Sequence, residues 1–102
     1  MSQPESKLSR TIMNHLRTKG WFCFKVHGSE LTMSGLPDII VCAEGQFIGL
    51  ETKMPSKRNN TSPRQDFTLA QIAAAGGHVE VVTSVREAEA AVRRALGRRR
   101  PS

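Results

Sequence analysis

The chain has 102 residues, with 15 Lys and Arg against 9 Asp and Glu, a net charge of +6 and a pI near 10.2. That length gives one domain with a modest core, and the charge favours a polyanionic partner, nucleic acid before an anionic membrane surface. No stretch approaches the ~18–20 apolar residues of a membrane span and the N-terminus lacks a signal-peptide core, which predicts a cytoplasmic protein in a bacterium or phage-infected host, with no membrane partner.

Pro4 to about Lys19 reads as a first helix, with Leu8, Ile12 and Leu16 in one apolar stripe and Gly20 as its stop. Glu5, seven residues before Ile12, stands at the end of that stripe, either at the rim or aimed at something. Trp21–His27 is aromatic and β-branched and reads as a strand. After a loop bracketed by Gly28-Ser29-Glu30 and Ser34-Gly35-Leu36-Pro37, Asp38–Ala43 reads as a strand apolar on both faces, hence central. Glu44-Gly45 turns the chain tightly into a third strand, Gln46–Met54, and the two form a hairpin. Cys23 and Cys42 fall inside apolar runs and read as reduced core residues without zinc-site spacing.

Pro55 to Ser62 is a polar, basic stretch that reads as a mobile loop. Ser62-Pro63-Arg64-Gln65 then starts a second helix as a capping box, with Leu69, Ile72 and Ala73 as its buried stripe and Gly76-Gly77 as its end. His78–Val82 is a short strand, and Ser84 with Glu87 caps a last helix that Gly97 stops near Leu96. The expectation is one domain over residues 1–97 and a disordered basic tail over 98–102. His15, His27 and His78 share no spacing, and of these only His27, at a strand end, invites a test. The order α-β-β-β-α-β-α implies an α/β fold, a mixed central sheet flanked by helices.

Strand alternation puts Glu51 and Lys53 on one side, with Phe47 and Gly49, and Gly49 should leave open space beside the charges. The hairpin returns Glu51–Lys53 beside Asp38, so two carboxylates and an ammonium meet at one end of the sheet. Two like charges that close repel, and burial sharpens the repulsion. A divalent cation relieves it, and hard carboxylate oxygens suit magnesium or manganese. With Lys53 to hold water or stabilise a pentavalent phosphate, the set fits metal-dependent phosphodiester hydrolysis.

Asp38 followed thirteen residues later by Glu51-Thr52-Lys53 resembles the PD-(D/E)xK nuclease core, a restriction-endonuclease-like αβββαβ fold. In detail the chain resembles a small stand-alone VRR-NUC (virus-type replication-repair nuclease) domain. The likeness runs from about Glu5 to Val85 and takes in Gly35-Leu36-Pro37-Asp38, Glu51-Thr52-Lys53, and Ser62-Pro63-Arg64-Gln65 leading to Gly76. It implies that Asp38, Glu51 and the Thr52 main-chain carbonyl bind the metal and that Lys53 is catalytic. Glu5 would be the helix-one glutamate that reaches the metal directly or through water, with Glu30 as an alternative early acid. Gln65 would support the site from the second helix.

Two of these residues also have plainer explanations. The helix dipole favours an acid at Glu5 without any chemistry, and a capping box explains Gln65. Lys57, Arg58 and Arg64 are the expected phosphate contacts, while the C-terminal arginines more simply solvate a helix. The resemblance implies a Mg2+- or Mn2+-dependent structure-selective DNA endonuclease, a homodimer that cuts four-way junctions. The alternatives are a flap, single-strand or nicking enzyme of the same fold, or a non-catalytic basic DNA-binding module.

Overall fold

The structure, a computed structural model, describes residues 4–28 and 32–98. The alternative early acid Glu30 and all of the basic tail beyond Arg98 therefore lie outside the described residues. The elements are α1 (Pro4–Thr18), β1 (Phe22–Lys25), β2 (Ile39–Ala43), β3 (Gln46–Thr52), α2 (Pro63–Ala74), β4 (His78–Val82) and α3 (Val85–Arg98). The four strands form one mixed sheet in the order β1-β2-β3-β4. β1, β2 and β3 pair antiparallel, and β4 joins β3 in parallel after the α2 crossover.

The β2–β3 reversal is tight because both of its central residues, Glu44 and Gly45, take positive φ (49° and 81°), the twist-matched geometry of a two-residue hairpin. α1 buries Ser9, Ile12, Met13 and Leu16, and α3 buries Ala88, Ala91, Val92 and Ala95, each set at helical spacing. Both helices lie on the sheet face that carries Cys23, Ile39, Val41, Ile48 and Leu50, and together they make the core. α2 packs over the other face at β4.

Several expectations need correction. Cys42 is exposed, since the face of β2 on which it stands is left open there; only Cys23 is a core thiol. Ala73 is exposed and Thr68 is the buried residue of α2, its hydroxyl donating to the Ser34 carbonyl at 3.0 Å. Gly97 does not end the last helix. Its φ is not positive, so α3 runs on to Arg98, whose guanidinium meets His78 Nδ1 at 3.0 Å. The 55–62 loop is not free either. Pro55–Lys57 forms a 3-10 turn, and Arg58 is tied to Thr83 Oγ1 at 3.1 Å and to the Glu87 carboxylate at 2.5 Å.

Arg94 pairs α3 with Glu80 of β4, Arg93 pairs with Glu89 within α3, and His15 of α1 meets the Glu89 carboxylate. Hydrogen bonds from His15 and then Arg93 hold the Glu89 carboxyl at about 2, and Arg94 lowers Glu80, as Arg58 lowers Glu87. Carboxylates lowered in the native state contribute stability above the ordinary value of 4.5 and lose it as pH falls toward the native value. Acid unfolding should therefore set in below pH 4.5, and Glu89→Gln should flatten the dependence of melting temperature on pH there. Thermal melts of the two proteins across that range check this.

Candidate active site

The end of the sheet where β2 begins and β3 finishes gathers the charged residues. Asp38 stands immediately before β2, its carbonyl accepting from the Val26 N–H at 2.7 Å, so β1 continues to steady it. Its Oδ2 accepts from the Thr52 N–H at 2.9 Å. An extended residue points its N–H and C=O to the same side, so the Thr52 carbonyl also faces the Asp38 side of β3. The next N–H, that of Lys53, points away to the Val82 carbonyl at 3.0 Å, as alternation requires.

Glu51 is 4 % exposed on the central strand β3. Its Oε2 lies 3.5 Å from Lys53 Nζ, while Oε1 is buried without a hydrogen-bond partner. Burial pushes the Glu51 carboxyl up, and the negative charge of Asp38 adds to this; Gln65 and Lys53 pull the other way. Asp38, Lys53 and Gln65 thus all lie within electrostatic reach of Glu51. The Ser62 hydroxyl caps α2 by accepting from the Gln65 N–H at 3.1 Å, while the Gln65 side chain acts on Glu51. The cap takes only the Gln65 backbone N–H, and the side chain lowers the Glu51 carboxyl.

The Gly35-to-Asp38 segment fixes this geometry. At Gly35 (φ +83°) a Cβ would sit 2.6 Å from the Arg64 carbonyl oxygen and from Thr68 Oγ1, so only glycine lets the loop lie flat against α2. Gly49 does not leave open space beside the charges. The buried Pro37 ring fills it, 2.7 Å from where a Cβ would stand. A Gly49→Ala substitution must push Pro37, and with it Asp38. The expected loss is about 1–3 kcal/mol of stability, with a larger proportional loss of metal binding than the unfolding midpoint accounts for. Denaturant melts beside a metal titration measure both.

The remaining expected residues sort differently. Glu5 and Lys57 line one cleft with Lys25, Asp38 and Met54, a space of about 400 Å³ that opens at the site. Glu5 does not complete a side-chain ligand set: among the described residues no three of His, Cys, Asp and Glu cluster to hold an ion. Arg58 is engaged by Glu87, and Arg64 bonds Ser34 Oγ at 2.8 Å while lying over the Phe67 ring. Of the three basic residues, Lys57 alone lines the cleft.

Sequence reasoning missed Lys25. Its Nζ lies 3.8 Å from Asp38 Oδ1 and donates to the buried Ser9 hydroxyl at 3.4 Å. The signal was present: Lys25 shares a strand face with the core residue Cys23, where a solvated lysine has no place. The donor set as it stands is two carboxylates, one with an orphaned buried oxygen, and a main-chain carbonyl, with lysines on both flanks. That set fits a hard divalent cation, which uses one or two carboxylates and keeps several waters.

No protein-family model matches the sequence, and no curated protein matches it. Solved structures do match. A VRR_NUC domain aligns over 90% of this chain and 97% of its own length, at TM-score 0.68 and 23% identity. A VRR_NUC domain protein aligns over 95% and 91%, at TM-score 0.71 and 14% identity. Hjc of Archaeoglobus fulgidus, a Holliday junction resolvase from an archaeal hyperthermophile, aligns over 74% of this chain and 64% of its own, at TM-score 0.57 and 19% identity. The likeness is one of fold: this chain shares a mixed α/β fold, one sheet flanked by helices, with those three structures. The likeness to the two VRR_NUC structures extends over nearly its whole length.

Proposed function

We propose that this protein is a divalent-metal-dependent DNA endonuclease that acts as a homodimer on four-way junctions. The observation that carries the nuclease reading is the Glu51 carboxylate, buried on a central strand with one oxygen unpartnered, Asp38 beside it and Lys53 on its other oxygen. A structural ion pair needs no second carboxylate, and a pure DNA binder gains nothing from burying acids where phosphate would approach.

Asp38, Glu51 and the Thr52 carbonyl would hold the cation. Bound there, magnesium or manganese would lower the pKa of a water and neutralise charge on the phosphodiester. Lys53 holds the attacking water or the developing negative charge from the side of Glu51 Oε2. Gln65 orients the Glu51 carboxylate, and Lys25 balances Asp38 on the opposite flank. Lys57 meets the backbone of the substrate along the cleft. The junction reading follows the Hjc likeness and the symmetry argument that two copies provide two sites for a two-fold substrate.

The test is a synthetic four-way junction with each strand labelled, incubated with magnesium, with manganese and with chelator, beside flap, nicked and linear duplexes. Symmetric paired nicks that require metal support the proposal. Cutting confined to flaps, nicks or single strands reassigns the substrate within the same chemistry. Binding that is indifferent to chelator, without any cutting, identifies a non-catalytic DNA-binding module.

A further inference from the structure

Each carboxylate of the site carries a lysine. Lys53 Nζ lies 3.5 Å from Glu51 Oε2, and Lys25 Nζ lies 3.8 Å from Asp38 Oδ1. Two acids and two ammoniums are formally neutral together, so the free protein offers a cation little net attraction there. The two lysines stand differently. Lys25 lines the cleft of about 400 Å³ with Asp38, Glu5 and Lys57, and Lys53 does not. The Lys25 backbone is fixed, since it pairs with Ile39 in the β1–β2 ladder and the next N–H, that of Val26, donates to the Asp38 carbonyl at 2.7 Å. Its ammonium is held more loosely. Among the described residues its partners are Asp38 and the Ser9 hydroxyl, the latter at a long 3.4 Å, and the side chain is 27% exposed.

We propose that Lys25 keeps the metal site weak in the free protein and releases Asp38 to the cation when DNA binds. Asp38 Oδ2 already accepts the Thr52 N–H at 2.9 Å, so Oδ1, the oxygen that faces Lys25, is the freer one. Magnesium binds a carboxylate oxygen at about 2.1 Å, so a cation on Oδ1 would stand within about 6 Å of the Lys25 ammonium. At about 6 Å a double and a single positive charge repel enough, even in water at low salt, to weaken binding roughly tenfold. A phosphate in the cleft removes that penalty. The ammonium turns on its flexible stem from Asp38 to the phosphate, beside Lys57, and Asp38 is left to the cation. Metal and DNA then bind cooperatively, each raising affinity for the other by the same factor. A lysine kept only for a structural ion pair would give no such coupling. This role rests on the metal-dependent reading above.

The experiment is calorimetric titration of manganese into the full chain without DNA, at low ionic strength. Wild type is compared with Lys25→Gln and Lys25→Met, which remove the charge, and with Lys25→Arg, which keeps it; circular dichroism checks that each variant folds. We expect manganese to bind the two neutral variants roughly tenfold more tightly than wild type, and Lys25→Arg within about threefold of wild type. The second measurement is fluorescence anisotropy of a labelled four-way junction, in chelator and in calcium, a hard cation with the same preference for oxygen ligands. A gel confirms that the junction stays whole. Calcium should raise the affinity of wild type for the junction about tenfold more than it raises that of Lys25→Gln. Manganese affinity that is unchanged or lower in both neutral variants overturns the proposal, as does an equal calcium effect in wild type and Lys25→Gln. Metal-dependent cutting with manganese affinity unmoved by Lys25→Gln removes this role and leaves the nuclease reading standing. Tighter manganese binding by Lys25→Gln, in a protein that cuts no DNA, does the reverse.

Discussion

Lys53→Ala should leave junction binding within a few-fold of wild type and lower cleavage by about 10²–10³-fold, the scale of losing one preorganised charge donor at a reacting oxygen. Binding survives because Lys53 is one of 15 basic residues and phosphate affinity is a sum over many contacts. Cleavage does not survive, because Lys53 is the cation placed against Glu51, 17% exposed and 3.5 Å from Oε2, where no solvated lysine can substitute. Lys53→Arg should rescue poorly, since a planar guanidinium does not replace a compact ammonium in a site cut to the latter. Single-turnover rates at saturating protein, with gel-shift affinities measured in chelator, separate the two effects. A Lys53→Ala protein that cuts at the normal rate removes Lys53 from the chemistry.

The element order was legible because each segment carries its own signals. The capped starts at Ser62 and Ser84 and the Glu44-Gly45 reversal are local chemistry, and local chemistry is what one sequence displays. Asp38, Glu51 and Lys53 could be brought together on paper for the same reason, since a tight hairpin and strand alternation leave little freedom. What escaped depended on packing between distant segments. Alternation marks Lys25 as inward-facing but not Asp38 as its partner, and the filling of the space over Gly49 by Pro37 is not encoded by any periodicity. Neither is the bond from Arg58 to Glu87, 29 residues away, which ties down a loop of mobile composition. Cys42 was misplaced because an apolar run looks the same whether its second face meets a helix or, as here, stands open.

Glu51→Gln and Asp38→Asn should part company when stability is measured with and without metal. At a hundred times its dissociation constant, a cation that binds only the native state adds about 2.7 kcal/mol, or roughly 10 °C or more for a domain of this size. Both substitutions should abolish that shift, because each removes one of the two carboxylates of the set. Without metal their effects have opposite signs. Glu51 is buried beside Asp38, so a neutral amide there removes the cost of burying a second negative charge, and the variant should melt higher than wild type. Asp38 accepts the Thr52 N–H at 2.9 Å and faces Lys25, so Asp38→Asn weakens a charge-assisted bond and should melt lower. The pH dependence follows from the same burial. With the Glu51 pKa raised, the native state holds a proton that the unfolded chain has released, so metal-free stability falls as pH rises above 4.5 toward the native value. The metal needs the released form, so its stabilising shift grows over that same interval. Calorimetry of the three proteins at two pH values, each with magnesium and with chelator, yields all four signs. A Glu51→Gln protein that keeps the metal shift, or melts lower than wild type in chelator, would show that the buried carboxylate serves the fold and not a cation.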